Sequence, residues 1–401
     1  MINILLDVIN YILVAILIGV SATWIALIKS MLRTFNESPF LDKFEKKEHE
    51  KPRVSVILPA RNEEKFIEKC LNSLLNQDYD NYEIITINDS STDSTGNIIK
   101  EYSKKFPKII SVDAKPKPDG WIGKNWACIE GYKKASGDLL LFTDADTTHT
   151  GSVISLAVSH LLSLELDALT VIPRMLCLDK ITKITLPMIS TFLHTRFSAL
   201  RVNDTSKGTG YFFGSFFIIK KSTYDSVGTH EGVKGELVED GALGRKVKES
   251  NFKMRMVRGE HLIDAVWARD SFTLWNALKR LMIPLYLQNA KIAVASFFGV
   301  LFLLFMPFPI LGYSIIFSSD SSLVLFVISC IASSLVYLGG IFDAVKGLDL
   351  KLRYSLFVPV GSLIVVCGFL AGLIQAKSKT AVAWRGRTYH MKGQIQKSIN
   401  V

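Results

Sequence analysis

The chain has 401 residues, 49% of them apolar, and a formal net charge of +10. That length suits one or two domains, and long uncharged apolar runs exclude a wholly soluble protein. The charge does not point to nucleic acid, because no nucleic-acid motif is present and many basic residues sit beside apolar segments, where anionic lipid headgroups attract them.

The first such run, Tyr11–Ile28, holds no charged residue and is long enough to span a membrane. A cleaved signal peptide is the other reading. The run lacks a basic leading region and exceeds the usual length of a signal core, so a retained anchor over residues 1–30 is expected. Lys29, Arg33, Lys43, Lys46, Lys47, Lys51 and Arg53 crowd just after it, which places the following domain on the cytoplasmic side of the cell membrane. Residues 52–270 have ordinary soluble composition. A segment at 271–290 with Phe272, Trp275, Leu278, Lys279 and Met282 at helical spacing reads as an amphipathic helix lying on the membrane, or as one packed on the domain core. Three apolar segments follow within 292–376: Ile292–Phe317, Leu323–Ala344 and Tyr354–Ala376. A basic tail closes the chain at 377–401. The loop from Lys346 to Arg353 and the tail are both basic, yet a full crossing by Tyr354–Ala376 would put them on opposite sides. One late segment is therefore a candidate re-entrant segment, and the last carries Pro359, Gly361, Gly368 and Gly372. The five cysteines, Cys70, Cys128, Cys177, Cys330 and Cys367, show no CxxC spacing and need no disulfide framework, in keeping with a reducing compartment.

Within 52–270, strands and helices alternate. Val54–Leu58 is an apolar strand closed by Pro59, followed by Asn62 as a helix cap with Glu63 and Glu64 in the first turn. Phe66, Ile67, Cys70, Leu71, Leu74 and Leu75 recur at helical spacing. A second strand, Glu83–Ile87, ends in the polar turn Asn88–Thr95, which can cap a helix through Tyr102. A short strand at Ile109–Val112 and a helix near Lys124–Ala135 precede the apolar run Leu139–Phe142. The order predicts a mostly parallel sheet with crossover helices, and Arg61, Asp89 and Asp144 then fall at the carboxyl ends of strands, where open α/β sheets bind ligands.

Asp144-Ala145-Asp146, just past a buried strand, is a good seat for a hard divalent cation and the phosphates it brings; alone it could be a solvated turn. Asp89 is placed to accept hydrogen bonds from a base or ribose, or merely to cap a helix. Gly120-Trp121-Ile122-Gly123-Lys124 reads as a flexed loop carrying Lys124 toward phosphates, without Walker A spacing. Glu239-Asp240 suits a helix start, or a general base if ionised and within reach of the proton it takes. Gly208–Gly214 reads as a turn into an acceptor-side strand, and His261 as a structural histidine that could reach a metal.

In this order, Val54–Glu64, Asn88–Asp93, Gly120–Lys124, Asp144–Asp146 and Glu239-Asp240 resemble the family 2 glycosyltransferases. The membrane layout and Trp384-Arg385-Gly386-Arg387-Thr388-Tyr389 resemble its branch of ceramide glucosyltransferases and bacterial transferases acting on carotenoid or hopanoid lipids. The resemblance implies an α/β GT-A fold with a Rossmann-like nucleotide-binding sheet, beside helical transmembrane segments. It implies a nucleotide-sugar donor, UDP-linked, and inversion at the transferred sugar. By position, Arg61, Glu63, Asp89, Lys124 and Asp144 would bind the nucleotide-sugar, Asp144 and Asp146 would hold Mg²⁺ or Mn²⁺, and Asp240 would be the catalytic base. The Gln/Arg-x-x-Arg-Trp motif of processive synthases is missing, so transfer of one sugar to a membrane lipid is expected rather than polymer synthesis. A polyprenyl-phosphate sugar transferase and a non-catalytic nucleotide-binding membrane component stay open as alternatives.

Overall fold

The computed structural model describes residues 2–44, 51–317, 322–378, 381–384 and 386–390. Lys46 and Lys47, Arg385 of the late motif, and Lys379, Lys392 and Lys397 of the basic tail lie outside the described residues. The first elements are α1 (Ile2–Glu37), β1 (Val54–Ala60), α2 (Ile67–Leu75), β2 (Tyr82–Asn88), α3 (Thr95–Lys105), β3 (Ile109–Asp113), α4 (Gly123–Tyr132) and β4 (Leu139–Phe142). Then come β5 (Thr147–His149), α5 (Val153–Ser163), β6 (Ala168–Ile172), β7 (Arg174–Cys177), α6 (Lys180–Arg196), α7 (Ala199–Asn203), β8 (Phe217–Lys220) and α8 (Lys221–Ser226). The rest are α9 (Glu239–Glu249), β9 (Met254–Arg258), β10 (Ile263–Ala268), α10 (Ser271–Gln288), α11 (Ala290–Leu304), α12 (Pro307–Ile316), α13 (Ser322–Phe342), α14 (Val358–Ser378), β11 (Ala381–Trp384) and β12 (Arg387–His390). The chain divides into a globular unit, Ser38–Leu176 with Ala199–Trp267 and the hairpin from Ala381, and a helical unit, Met1–Glu37 with Cys177–Ser198 and Ala268–Thr380.

The globular unit is built on a seven-stranded sheet of order β3-β2-β1-β4-β8-β6-β9. β1, β2, β3 and β4 pair in parallel, with Ala60 opposite Asn88 and Ile57 opposite Phe142. β8 is inserted antiparallel between β4 and β6. Val54, Val56, Leu58, Cys70, Leu71 and Leu74 share one buried cluster, and Ile57, Leu140 and Phe142 are buried as well. A central strand of a parallel sheet is covered on both faces, which is why these runs are continuously apolar rather than alternating. Pro59 does not close β1: the strand runs on to Ala60, with Pro59 opposite Ile87.

The helix after β1 starts later than its local pattern predicts. α2 begins at Ile67, and Phe66 rather than Asn62 precedes it. Asn62 takes a left-handed φ of 54°, and its side-chain oxygen accepts the Thr92 N–H at 2.9 Å. Glu63 donates its N–H to Thr95 Oγ1 at 2.7 Å, and Glu64 Oε2 accepts the Ser94 N–H at 3.1 Å. The two loops at the sheet's carboxyl edge thus hydrogen-bond to one another, and this outcompetes a local helix cap.

In the helical unit, three stretches are long and apolar enough to cross a membrane, Ile4–Glu37, Ser322–Gly347 and Leu352–Lys377. α11 and α12 together form a fourth candidate, bent by 57° at their junction. The break among the late apolar segments therefore lies in the first of them and not in the last: α14 is continuous, with Pro359 in its first turn where no N–H is missed. Its glycines serve packing instead. A Cβ at Gly361 would lie 2.0 Å from the Ile184 carbonyl oxygen of α6, and one at Gly372 would lie 2.6 Å from that of Lys279 in α10. Small residues at such contacts let backbones approach closely. α10 buries Leu274, Ala277, Leu278 and Met282, while Phe272 is 74% exposed. At the end of α13, Asp343 is fully buried and accepts hydrogen bonds from Ser190 and from His194 Nδ1, the latter at 2.5 Å.

Candidate functional site

Arg61 and Asp89 directly follow β1 and β2, and Asp144 lies two residues past β4, so the parallel register brings all three to one edge of the sheet. The helix α4 starts beside that edge, and its first two residues reach different clusters. Lys124 Nζ lies 2.7 Å from Asp144 Oδ1 and 2.7 Å from Glu239 Oε1. Burial alone would push the Lys124 ammonium down, but Asp144, Glu239 and Asp240 outweigh it and hold its pKa well above the usual value.

Asp240 stands in the first turn of α9. Gly214 donates its N–H to Asp240 Oδ2 at 2.8 Å, and Gly241 donates to Oδ1 at 2.8 Å. Burial, followed by the Glu239 carboxylate, pushes Asp240 up to about 7, against the opposing pull of Lys124 and the Gly241 N–H. A carboxyl poised there can take a proton near neutral pH. Gly214 occupies the meeting point: a Cβ there would fall 2.9 Å from Asp240 Oδ2, 2.9 Å from Lys124 Nζ and 3.2 Å from Asp144 Oδ2. The segment Gly208–Gly214 leads into β8, the antiparallel strand that borders β4, which explains how it reaches Asp144.

The second cluster surrounds Asp89, which is 4% exposed. Arg61 donates to the Asp89 and Ser90 carbonyls at 2.5 and 2.7 Å. Arg387, from β12, donates to Asp89 Oδ2 at 2.5 Å, and the Gly123 N–H at the start of α4 donates to the Tyr389 hydroxyl at 3.2 Å. Burial pushes the Asp89 carboxyl up, and Arg387 and Arg61 act in the other direction.

Of the residues singled out in the sequence, Lys124, Asp144 and Asp240 converge, with Asp89 and Arg61 in the neighbouring cluster. Glu63 is buried in the loop after β1, at 4% exposure. Asp146 follows Asp144 by two residues, and its carbonyl accepts the Val266 N–H from β10 at 3.2 Å. His261 is elsewhere, 2.8 Å from Asp42. Glu239 as a partner of Lys124, the Gly214 N–H and the pair Arg387 and Tyr389 were not foreseen as site residues. The motif Trp384–Tyr389 was visible, but nothing local in it says where it docks.

Among the described residues no group of three or more histidine, cysteine or acidic side chains is arranged to hold a metal. Asp144 and Asp146 are the carboxylates expected to hold Mg²⁺ or Mn²⁺, ions commonly held by one or two carboxylates and completed by phosphate oxygens and water; in this structure Asp144 is paired with Lys124. Both residues keep part of their surface open.

A model of the family described as "Glycosyl transferase family 2" matches residues 55–228. Among curated proteins, the chain is 36% identical over 142 residues to the probable glycosyltransferase YdaM of Bacillus subtilis, covering 33% of each chain. It is 25% identical over 279 residues to the 4,4'-diaponeurosporenoate glycosyltransferase of Staphylococcus haemolyticus, covering 69% of this chain and 71% of that one. The chain thus spans about a third of the first relative's length and most of the second's. Among solved structures, the mannosyltransferase PcManGT from Pyrobaculum calidifontis, in complex with GDP-Man and Mn²⁺, has a similar fold. Its TM-score is 0.53 at 16% identity, covering 91% of this chain and 99% of that one.

Proposed function

The chain carries a family 2 glycosyltransferase domain of GT-A fold, and from this premise we propose that it transfers one sugar from a UDP-sugar to a hydroxyl of a membrane lipid, with inversion. The observation that carries the proposal is Asp240, anchored through both oxygens by the N–H groups of Gly214 and Gly241 and pushed up to about 7. In a single displacement the acceptor oxygen bonds to the anomeric carbon while the bond to the nucleoside diphosphate breaks on the opposite face. The hydroxyl proton passes to Asp240, a step for which a positioned base contributes about 10²–10⁴-fold. Lys124 presents a fixed positive charge to the departing diphosphate. Asp144 and Asp146 would hold a divalent ion, which neutralises charge on the leaving group when bound. Asp89 would meet the nucleobase, with Arg61 and Glu63 shaping its loop.

A hydroxyl acceptor is favoured over a polyprenyl phosphate because an anionic acceptor needs no base of this kind. The lipid assignment draws on the apolar helices and on the relative named for a carotenoid acid.

Mass spectrometry of membrane lipids with and without the expressed protein tests the function. A hexose-sized gain in one lipid class, absent with Asp240→Ala, is the expected result, and an unchanged lipid profile would refute it.

A further inference from the structure

The hairpin β11–β12 pairs Ala381 with His390 and Trp384 with Arg387. Two side chains of its second strand enter the Asp89 cluster from 298 positions away in the chain. Arg387 bonds Oδ2 of Asp89, and the two side chains are 18% and 6% exposed. The buried Tyr389 takes the N–H of Gly123, one of the helix-start donors that α4 cannot satisfy itself. Gly123 is required for this convergence. A Cβ there would lie 2.3 Å from Arg387 Nη1, 2.8 Å from Asp89 Oδ2 and 2.9 Å from the Tyr389 hydroxyl.

The other oxygen of Asp89, Oδ1, is buried with no hydrogen-bond partner among the described residues. A buried carboxylate oxygen without a donor is costly, and each such orphan calls for an explanation. Arg387 takes one oxygen only and leaves the buried Oδ1 for another donor. It orients the carboxylate and, with Arg61, opposes the upward push of burial on its pKa.

We propose that the C-terminal hairpin is a working part of the donor site: Arg387 clamps Asp89 so that Oδ1 receives a ring N–H of the donor's nucleobase, and Tyr389 pins the start of α4 beneath it. The ligand class is a nucleoside diphosphate whose base offers a ring N–H, as uracil and guanine do. Arg387 and Tyr389 are positioning residues for the base. The inference rests on the donor reading given above.

The test is calorimetric titration of the full-length protein in nanodiscs with UDP, GDP and inorganic pyrophosphate. Arg387→Ala should weaken whichever nucleotide binds by about tenfold or more, as expected for a lost charge-assisted contact, and leave pyrophosphate affinity within about twofold. Gly123→Ala, which displaces the hairpin without changing any charge, should act in the same direction, and Tyr389→Phe more weakly. Equal or tighter nucleotide binding by Arg387→Ala overturns the proposal, the second result marking the hairpin as a plug. Equal losses for nucleotide and pyrophosphate also overturn it, since they reveal a merely structural role. If Arg387→Ala does not fold, unchanged nucleotide binding by Gly123→Ala overturns it instead. Wild-type protein that binds neither UDP nor GDP refutes the donor reading itself, which separates that failure from failure of the hairpin's role.

Discussion

Lys124 and Asp144 form an ion pair at 2.7 Å across the edge of the central sheet, and the same ammonium reaches Glu239 at 2.7 Å. One positive charge therefore holds together carboxylates from two distant stretches of sequence, and its own charge lowers the proton affinity of Asp240. Lys124→Met should cut turnover by at least about tenfold through loss of charge stabilisation at the leaving group. It should also move the acidic limb of the pH–rate profile to higher pH, because the charge that favours ionised Asp240 is gone. A profile whose limb stays in place would contradict the coupling.

Asp240 gives the wild-type profile its sign. Its carboxyl is pushed up to about 7, and a base works only when ionised, so kcat/KM should rise with pH as that value is passed. Stability moves the other way. A group whose folded pKa is raised contributes stability that is present below its ordinary value and lost as pH rises through the folded one. Parallel measurement of kcat/KM and Tm between about pH 5 and 8.5 should show the two trends crossing. Asp240→Asn should lower kcat by about 10²–10⁴-fold.

Gly214 offers a test that changes no charged group. Its substitution by alanine sets a methyl 2.9 Å from both Asp240 Oδ2 and Lys124 Nζ, closer than real Cβ contacts. Gly214→Ala should lower kcat by about tenfold or more, since misplacement by about 1 Å can cost 10²-fold. Circular dichroism should remain that of the wild type. Retained kcat would mean that the site can open at no cost.

Asp144 and Asp146 carry the metal expectation. Excess chelator should abolish sugar transfer and added Mg²⁺ or Mn²⁺ should restore it, with Asp144→Ala inactive at any metal concentration. Undiminished turnover in chelator would assign the leaving-group charge to Lys124 alone.

In the helical unit, Asp343 is fully buried between Ser190 and His194. Asp343→Ala should destabilise the protein by roughly 1–3 kcal/mol, the usual cost of leaving a buried donor unsatisfied, read as a lower thermal midpoint in detergent.

The strands were legible because each is a short apolar run ended by polar residues: Val54–Leu58, Glu83–Ile87 and Leu139–Phe142 all lie inside observed strands. That pattern also located Asp89 and Asp144, since a parallel sheet places strand ends together. Local patterns misled where partners were remote. Asn62 looked like a cap, yet its oxygen is taken by Thr92 from the next loop. The glycines of α14 suggested a break, yet they fit against α6 and α10. Gly214 and Arg387 stood in segments the sequence singled out, but their contacts could not be read, because these come from an antiparallel insertion and from a hairpin 298 positions beyond its partner.

That separation also orders events during synthesis. Asp89 is translated 298 positions before Arg387, so the pair they form closes only after the intervening helices have been synthesised. Until then the Asp89 carboxylate lacks its Arg387 partner, and a nascent chain that stops short of β12 cannot complete this cluster.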